Sequence, residues 1–479
     1  MKSLTNIGQR EDFISPGQLE NISTTASVGE RTDVARLYRQ YIAYWLDQSL
    51  PAGQVVLIAV PNSPDLLAMF AAVLNSNHVP ALIAPTTPGD RVMQMVRDFG
   101  AGALIRSATH DATWESYGVQ NVQDLGRWQV GRVQNAPLPI TQPGQVVIAT
   151  SGTSRAFSSG CVHWFSALQN NALRHARSIG LGRTDRILVN LPMYYSTALV
   201  AQTIAALELG AHLVISGPPF LVPTYLEDIH EHRITASSVT PVLLRQINAH
   251  SQSLPGCLRL LTVGGDLAAA TEVNQCLTAN PGLELYLTYG ISEAGPRVST
   301  CAAHRASPQQ LSSVGLPLEG TQVMILRPSP DSAEGELLVS SDTLLTRKIG
   351  QDSHTPIIEL NGKRWLKTGD IFSQDHDGYL YFKGRHSDFI VIRDEKVNLG
   401  AIKQMCKRVP GVLACRTEVV SDSSVPAGFQ LELTVDRDVV QENEGDYFKT
   451  RLLKQLKHYE RPLAIALLHR DALSMTNHK

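Results

Sequence analysis

The strongest constraint on this chain is a repeated alternation of short β-branched runs with longer amphipathic or apolar segments. Val55–Val60 (VVLIAV) reads as a strand, and Asn62-Ser63-Pro64-Asp65 then gives a helix-cap signal with proline in the first turn, ahead of LLAMFAAVL. Ala81–Ala84 is the next apolar run. Asp90–Phe99 has helical amphipathicity and is closed by Gly100, and Ala103–Arg106 returns to strand. The pattern resumes with strand Ile187–Leu191, a long helix over Thr197–Leu209 ended by Gly210, strand His212–Ser216, helix Tyr225–His232 and strand Ala236–Val239. Helix Val242–His250 and strands Leu258–Val263 and Leu285–Leu287 complete it. Strands separated by helices imply an α/β architecture, with a large parallel sheet covered by helices on both faces.

At 479 residues the chain exceeds what one hydrophobic core supports, so two or more domains are expected. Apolar residues at 43% and charged residues at 18% supply core material and exclude disordered, collagenous and coiled-coil classes. Lys+Arg 42 against Asp+Glu 44 leaves a net charge of −2, which provides no global positive field, so no nucleic-acid partner is expected. The six cysteines, Cys161, Cys257, Cys276, Cys301, Cys406 and Cys415, have no C-x-x-C spacing, which argues against zinc and disulfides. The start MKSLTNIGQREDF has no apolar signal core, and the most apolar region, Leu199 to Ile215, carries Gln202, Glu208 and His212. The expectation is a cytoplasmic protein with no membrane partner.

From Val314 the texture changes to short strands and turns (TQVMIL, GELLVSS, GYLYFKG), a small antiparallel region. After Gly384-Arg385 the sequence predicts an α+β unit: helix Ala401–Arg408, strands Leu413–Val420 and Phe429–Val435, helix Tyr447–Tyr459 and strand Leu463–Leu468. The expected division is a large N-terminal core, 1–384, and a small mobile C-terminal lid, 385–479.

Several segments can carry chemistry. Thr150, Ser151, Gly152, Thr153, Ser154 and Arg155 follow an apolar run and open a hydroxyl- and glycine-rich loop that ends at Gly160. Such a loop can wrap N–H and O–H groups around phosphate oxygens, with Arg155 adding charge; taken alone it reads sooner as a surface loop, and no G-K-[ST] closes it as a Walker loop. Tyr289, Gly290, Ser292 and Glu293 follow a predicted strand, where open sheets bind ligands, so Tyr289 can stack on a base and Glu293 can hold Mg²⁺. The alternative is a strand end with a solvated glutamate. Gly264 and Gly265, also past a strand, allow close backbone approach to a planar ring or form an ordinary turn. Asp370, in KTGD, and Arg385 have the chemistry to clamp a ribose, and each also reads as a turn residue. Lys479, in TNHK, looks like a frayed terminal lysine.

The series TSGTS, LPMYYST, TVGGD, TYGISE, KTGD, GYLYFKGR and TNHK strongly resembles the ordered motifs of adenylate-forming enzymes, the superfamily of acyl-CoA synthetases, luciferases and nonribosomal peptide synthetase adenylation domains. Gly384 through Ile402 is most similar to the peptide-synthetase version of its motif. The resemblance implies ATP-dependent attack of a carboxylate on the α-phosphate, giving an acyl-adenylate and pyrophosphate, with Mg²⁺ assisting, followed by capture with a thiol. Lys479 is then the cation that bridges carboxylate and α-phosphate. Thr150, Ser151, Thr153 and Ser154 hold the pyrophosphate end, with Gly152 and Arg155 in the same loop. Tyr289 and Gly265 flank adenine, with Gly264, Asp266 and Gly290 in the same motifs; Ser292 touches the α-phosphate, Glu293 binds Mg²⁺, and Asp370 and Arg385 bind ribose. The hinge position aligns with Ser387, and the acid pocket with Tyr194, Tyr195, Ser196 and Thr197.

Departures from the family pattern matter. Ser158-Ser159-Gly160 stands where P-K-G is usual, so the loop lacks its lysine, worth roughly 1 to 3 kcal/mol of phosphate binding unless Arg155 replaces it. Asp394 and Ala401 replace a lid glycine and glutamate. Tyr195 occupies the place of the aspartate that pairs with the substrate α-ammonium in amino-acid-activating relatives, which implies an aryl, acyl or hydroxy acid without a free α-amino group. The expected acceptor is a phosphopantetheinyl carrier protein on another chain. Coenzyme A, an amine or other non-thiol acceptor, and a nucleotide-binding member without turnover are the alternatives.

Overall fold

The computed structural model describes residues 12–26, 32–107, 114, 119–150, 159–217, 220–251, 253–351, 353–392, 395–420, 428–441 and 445–470. Ser151, Gly152, Thr153, Ser154, Arg155 and Lys479 lie outside these residues. The chain divides into two compact units: Met1–Pro218, Pro223–Gln322 and Val339–Leu366 form the first, and Pro219–Val222, Val323–Leu338 and Lys367–Lys479 the second.

The first unit holds two eight-stranded sheets. In one, the strands Ile22–Thr24, His212–Ile215, Arg186–Val189, Ala236–Val239, Leu260–Gly264 and Glu284–Gly290 run parallel in that order, and Arg297–Ala302 and Leu316–Pro317 add an antiparallel edge. In the other, Gln145–Thr150, Val79–Leu82, Val55–Ala59 and Ala101–Ser107 form a parallel centre flanked on both sides by antiparallel strands. The expected α/β class with parallel sheets and a small antiparallel region stands, with the parallel strands shared between two mixed sheets rather than gathered in one. Strand–helix alternation identifies crossovers but does not say which sheet each strand joins, and the hairpin returns at Val119–Val133 and Gln145–Trp164 have no crossover helix to reveal them.

Period-two alternation within the strands assigns the two faces of the second sheet. Val56 and Ile58 join a core with the helices Pro64–Asn75 and Phe165–Ser178, while Val55, Leu57 and Ala59 pack with Val92, Met95 and Val96 of the helix Gly89–Asp98. The helix Pro64–Asn75 is buried at every residue, as its continuous apolar composition requires. Each fully buried Val, Leu or Phe contributes about 1.5–3 kcal/mol to this core. Its start is as read: Ser63 Oγ accepts from Leu66 N–H at 3.2 Å, with Pro64 in the first turn. The helix expected over Thr197–Leu209 is wound as a π-helix over Thr197–Ile204, continues as α over Ala205–Leu209, and ends at Gly210 with φ 66°.

In the second unit the three-stranded sheet of Val412–Val420, Gly428–Asp436 and Ala464–Arg470 packs with the helices Leu399–Lys407 and Gly445–Leu453 around Phe429, Leu431, Leu433, Ile402 and Leu452. The helix expected over Tyr447–Tyr459 is shorter, with a separate turn at His458–Glu460. Phe448, Leu452 and Leu456 are spaced i, i+4 and are all buried, but Leu456 reaches the core through i to i+3 turns rather than a continued helix. Among the described residues, no helix is long and apolar enough to cross a membrane.

Candidate active site

The first unit gathers its chemistry around the turn Ser292–Ala294, which follows the strand Glu284–Gly290. Three groups hold its backbone. His163 Nε2 donates to Ser292 O at 2.8 Å, Thr343 Oγ1 donates to Ala294 O at 2.9 Å, and Leu345 N–H donates to Glu293 O at 2.9 Å. A carbonyl only accepts, so the proton of the His163 ring sits on Nε2. Burial pushes that imidazole down to about 4, and it is neutral at physiological pH. Asn171 then clamps the next residues: its Oδ1 accepts from Arg297 N–H and its Nδ2 donates to Arg297 O, both at 2.9 Å. Gly290 is required here because a Cβ at that position would run into Pro296 O.

With the turn fixed, two side-chain pairings follow. Ser196 Oγ lies 3.4 Å from Ser292 Oγ, which joins the LPMYYST and TYGISE motifs. Glu293 Oε1 lies 3.5 Å from Lys348 Nζ, with the two side chains 20% and 11% exposed. Lys348 comes from the strand Arg347–Gly350, where it sits opposite Cys161 of Ser159–Trp164. That neighbour strand begins where the hydroxyl-rich loop ends. Thr150 and Ser159 face each other in register, and their hydroxyls are 2.6 Å apart. Ser159, standing in place of the family lysine, is buried.

The LPMYYST segment, the expected acid pocket, is shaped by Asn62, whose Oδ1 accepts from Met193 N–H and whose Nδ2 donates to Leu191 O, both at 2.8 Å. The rings of Tyr194 and Tyr195 are 4.7 Å apart at 55°. Burial, reinforced by Tyr194, pushes the Tyr195 hydroxyl up to about 12. No carboxylate is among the groups that set it. Thr197 opens the π-helix.

Gly264 ends the strand Leu260–Gly264, and Gly265 follows with φ 88°. A side chain on Gly264 would collide with Thr288 Oγ1 and lie 3.1 Å from Arg297 Nη1, so the missing side chain makes room for protein groups at that position. Asp266 Oδ1 accepts from Leu267 N–H at 2.8 Å. Tyr289 is half-buried, opposite Ser299 in the sheet.

In the second unit, Asp370 and Arg385 face each other across an antiparallel pair, with Arg385 Nε 3.1 Å from Asp370 Oδ1. Asp370 is 1% exposed and Arg385 50%. Thr368 Oγ1 accepts from Asp370 N–H at 3.1 Å and donates to Leu337 O at 2.8 Å, which fixes the KTGD turn. Ser387 lies in the turn His386–Asp388, and its side chain is outside the described set. Beside it, Asp388 Oδ2 accepts from Arg385 N–H at 3.0 Å and Oδ1 from Lys403 Nζ at 2.6 Å.

Among the described residues no three His, Cys, Asp or Glu side chains converge as a metal cage. Glu293, beside hydroxyls, is a single hard oxygen donor, and this suits a Mg²⁺ that takes its other ligands from phosphate and water.

Sequence reasoning passed over Lys348, His163, Asn171, Thr343, Asp388 and Arg297. Two carried a local signal: Asp388 lies within the Gly384–Ile402 motif, three residues from Arg385, and Arg297 is a charged residue opening an apolar strand directly after Gly295-Pro296. The others act from distant segments.

A mixed α/β unit that carries phosphate-type hydroxyls, a turn carboxylate and an acid-pocket helix, alongside a smaller α+β unit, has the features of an adenylate-forming ligase. The AMP-binding enzyme family model matches residues 33–347. The chain is 24% identical over 445 residues to 2-succinylbenzoate–CoA ligase of Bacillus subtilis (strain 168), covering 90% of this chain and 87% of that one. The fold is similar to o-succinylbenzoate CoA synthetase from Bacillus subtilis solved with its acyl-adenylate intermediate: TM-score 0.76, 18% identity, 95% of each chain. It is also similar to an amide bond synthetase from Marinactinospora thermotolerans: TM-score 0.72, 19% identity, 97% of this chain and 98% of that one. This chain belongs to the AMP-binding enzyme family, within the adenylate-forming superfamily.

Proposed function

We propose that the protein uses ATP and Mg²⁺ to convert a carboxylic acid into an acyl-adenylate with release of pyrophosphate, and then passes the acyl group to a thiol. The observation that carries this reading is the 3.4 Å approach of Ser196 and Ser292, because it brings an acid-pocket motif to a phosphate motif. Joining two anions in one oriented encounter is the main task of the first half-reaction. Ser292 orients the α-phosphate, and Glu293 is the ligand for the Mg²⁺, which supplies charge neutralisation on the phosphates. The loop 150–155 holds the pyrophosphate end. Tyr289, Gly265 and Asp266 serve the adenine side, and Asp370 with Arg385 takes the ribose hydroxyls. Lys479 brings the ammonium of the adenylation step, with the lid hinging at Ser387. The proposed division of labour is 1–384 as core and 385–479 as lid.

For the acid, Tyr195 supports a substrate without a free α-amino group, since a half-buried neutral phenol offers no countercharge to an ammonium. For the acceptor, the CoA-ligase relatives favour coenzyme A over the carrier protein suggested by the peptide-synthetase style of Gly384–Ile402. An amine acceptor is the second reading, favoured by the likeness to an amide bond synthetase. The test is mass spectrometry of reactions containing ATP, Mg²⁺ and a panel of aryl and aliphatic acids, with coenzyme A, a pantetheinylated carrier or an amine added separately. An acyl-CoA product is expected. Acylated carrier or amide alone would move the acceptor, and no acyl-adenylate with any acid would overturn the activity.

A further inference from the structure

Arg297 is 3% exposed. Its guanidinium offers five N–H donors, yet among the described residues it makes one hydrogen bond, from Nη1 to Thr288 Oγ1 at 2.8 Å, and its buried Nε has no partner. No carboxylate of the described residues comes within ion-pair distance of it. Three less buried arginines of the same unit have carboxylate partners, Arg174 with Asp342, Arg245 with Glu272, and Arg259 with Asp185 and Glu284, while the buried Arg106 lies over the Trp114 ring. Burial lowers the Arg297 guanidinium to about 10, which still leaves it charged at neutral pH. His175, the other titratable group beside it, is held neutral by burial and by the charge of Arg297, and so supplies no anion.

A buried charge without a countercharge is destabilising, and a ligand that brings a countercharge from outside the chain accounts for its being held there. The positioning here is rigid. Asn171 fixes Arg297 at both its N–H and its C=O, and Gly264 leaves the guanidinium room beside Thr288. Thr288 and Gly264 lie at the carboxyl ends of adjacent parallel strands, the edge at which open sheets bind ligands. Three residues further back along the chain from Arg297 is the turn whose Ser292 meets Ser196 of the acid pocket.

We infer that Arg297 is a specificity-determining residue that pairs with a second anionic group on the acid, so that the preferred substrate carries a carboxylate or sulfonate in addition to the carboxylate that is activated. This deepens the acid-activating reading and rests on it. A guanidinium with Nε and a terminal nitrogen available presents the fork that a carboxylate or sulfonate fits with two parallel hydrogen bonds.

The test compares acids of matched skeleton, hexanoate against adipate and benzoate against the three benzenedicarboxylates and 3-sulfobenzoate, in acid-dependent exchange of labelled pyrophosphate into ATP. For the wild type, kcat/KM for the best dianionic acid is expected to exceed that of its monoanionic counterpart by about tenfold or more, because an unsatisfied buried polar group discriminates strongly against a ligand that cannot pair with it. Arg297→Met should erase that ratio, chiefly through KM of the dianionic acid, and Arg297→Lys should keep part of it. Arg297→Met should also retain or raise the melting temperature, as expected when an unpaired buried charge is removed; if that variant fails to fold, the ratio is read from Arg297→Lys. Exchange supported by monoanionic acids alone, an unchanged ratio in the variants, or equal losses for both acid classes would each overturn the role of Arg297 while leaving acid activation standing. No exchange with any acid would overturn acid activation itself, and this inference with it.

Discussion

Lys348 Nζ lies 3.5 Å from Glu293 Oε1, on a strand hydrogen-bonded to Ser159–Trp164, which follows the hydroxyl-rich segment in the chain. Ser159 stands where the family lysine is usual, and it is buried and linked to Thr150. Lys348 thus supplies a cation beside Glu293, the carboxylate proposed for Mg²⁺, from a different strand, where both side chains are largely shielded from solvent and screening is weak. Replacing Lys348 with Met removes a charge-assisted contact worth about 1.5–3 kcal/mol, so kcat/KM for ATP should fall about 10- to 100-fold. Steady-state kinetics with ATP as the varied substrate check this. Unchanged values would confine Lys348 to a structural pairing with Glu293.

Tyr195 predicts the acid class. Proteinogenic amino acids should fail as substrates, because the phenol at this position stays neutral up to about pH 12 and cannot pair with an α-ammonium. Tyr195→Asp should lower activity with the native acid by at least about tenfold, through the desolvated carboxylate it introduces. Product analysis by mass spectrometry across both acid types decides the matter, and robust turnover of an amino acid by the wild type would refute the assignment.

Stability should fall on mild acidification. His163 and His78 are buried and pushed down to about 4 from an ordinary value of 6.5, and His175 lies well below it. Between pH 6.5 and 4 the unfolded chain binds protons that the folded chain refuses, so the contribution is complete above 6.5 and is lost as the pH drops toward 4. Each group removes about 1.4 kcal/mol per pH unit, or roughly 2 kcal/mol each between pH 6.5 and 5. Denaturant midpoints at pH 7 and pH 5 measure the loss, and His163→Gln should reduce the slope. A flat profile would mean that these imidazoles are not held neutral by the fold.

What was legible in the sequence is what local pattern encodes. The Ser63 cap, the left-handed Gly210 and the strand Ala236–Val239 follow from residues adjacent in the chain, and each stands as read. Local pattern also brought out Ser292, Glu293, Asp370 and Arg385, because they sit in short motifs of fixed order. Pattern is blind to partners. Nothing near Glu293 announces Lys348, more than fifty positions later, and nothing near Ser292 announces His163, Asn171 or Thr343, because those contacts exist only once the strands are stacked. The two-sheet arrangement was hidden for the same reason, since adjacency in a sheet is a long-range property that hydrophobic period does not carry. The shortened helix at Leu453 shows the limit from the other side: the spacing of Phe448, Leu452 and Leu456 satisfies a helical period, and a turn meets it as well.

Acid-dependent exchange of labelled pyrophosphate into ATP, run on the wild type and on Lys479→Ala, is the most direct measurement of whether this protein joins a carboxylate to the α-phosphate. The expected result is exchange that appears only when a suitable acid is added, and that drops by about 100-fold or more in Lys479→Ala while ATP binding persists. Exchange independent of acid, or none with any acid despite ATP binding, would contradict the account; full exchange in the variant would remove the lysine from the chemistry.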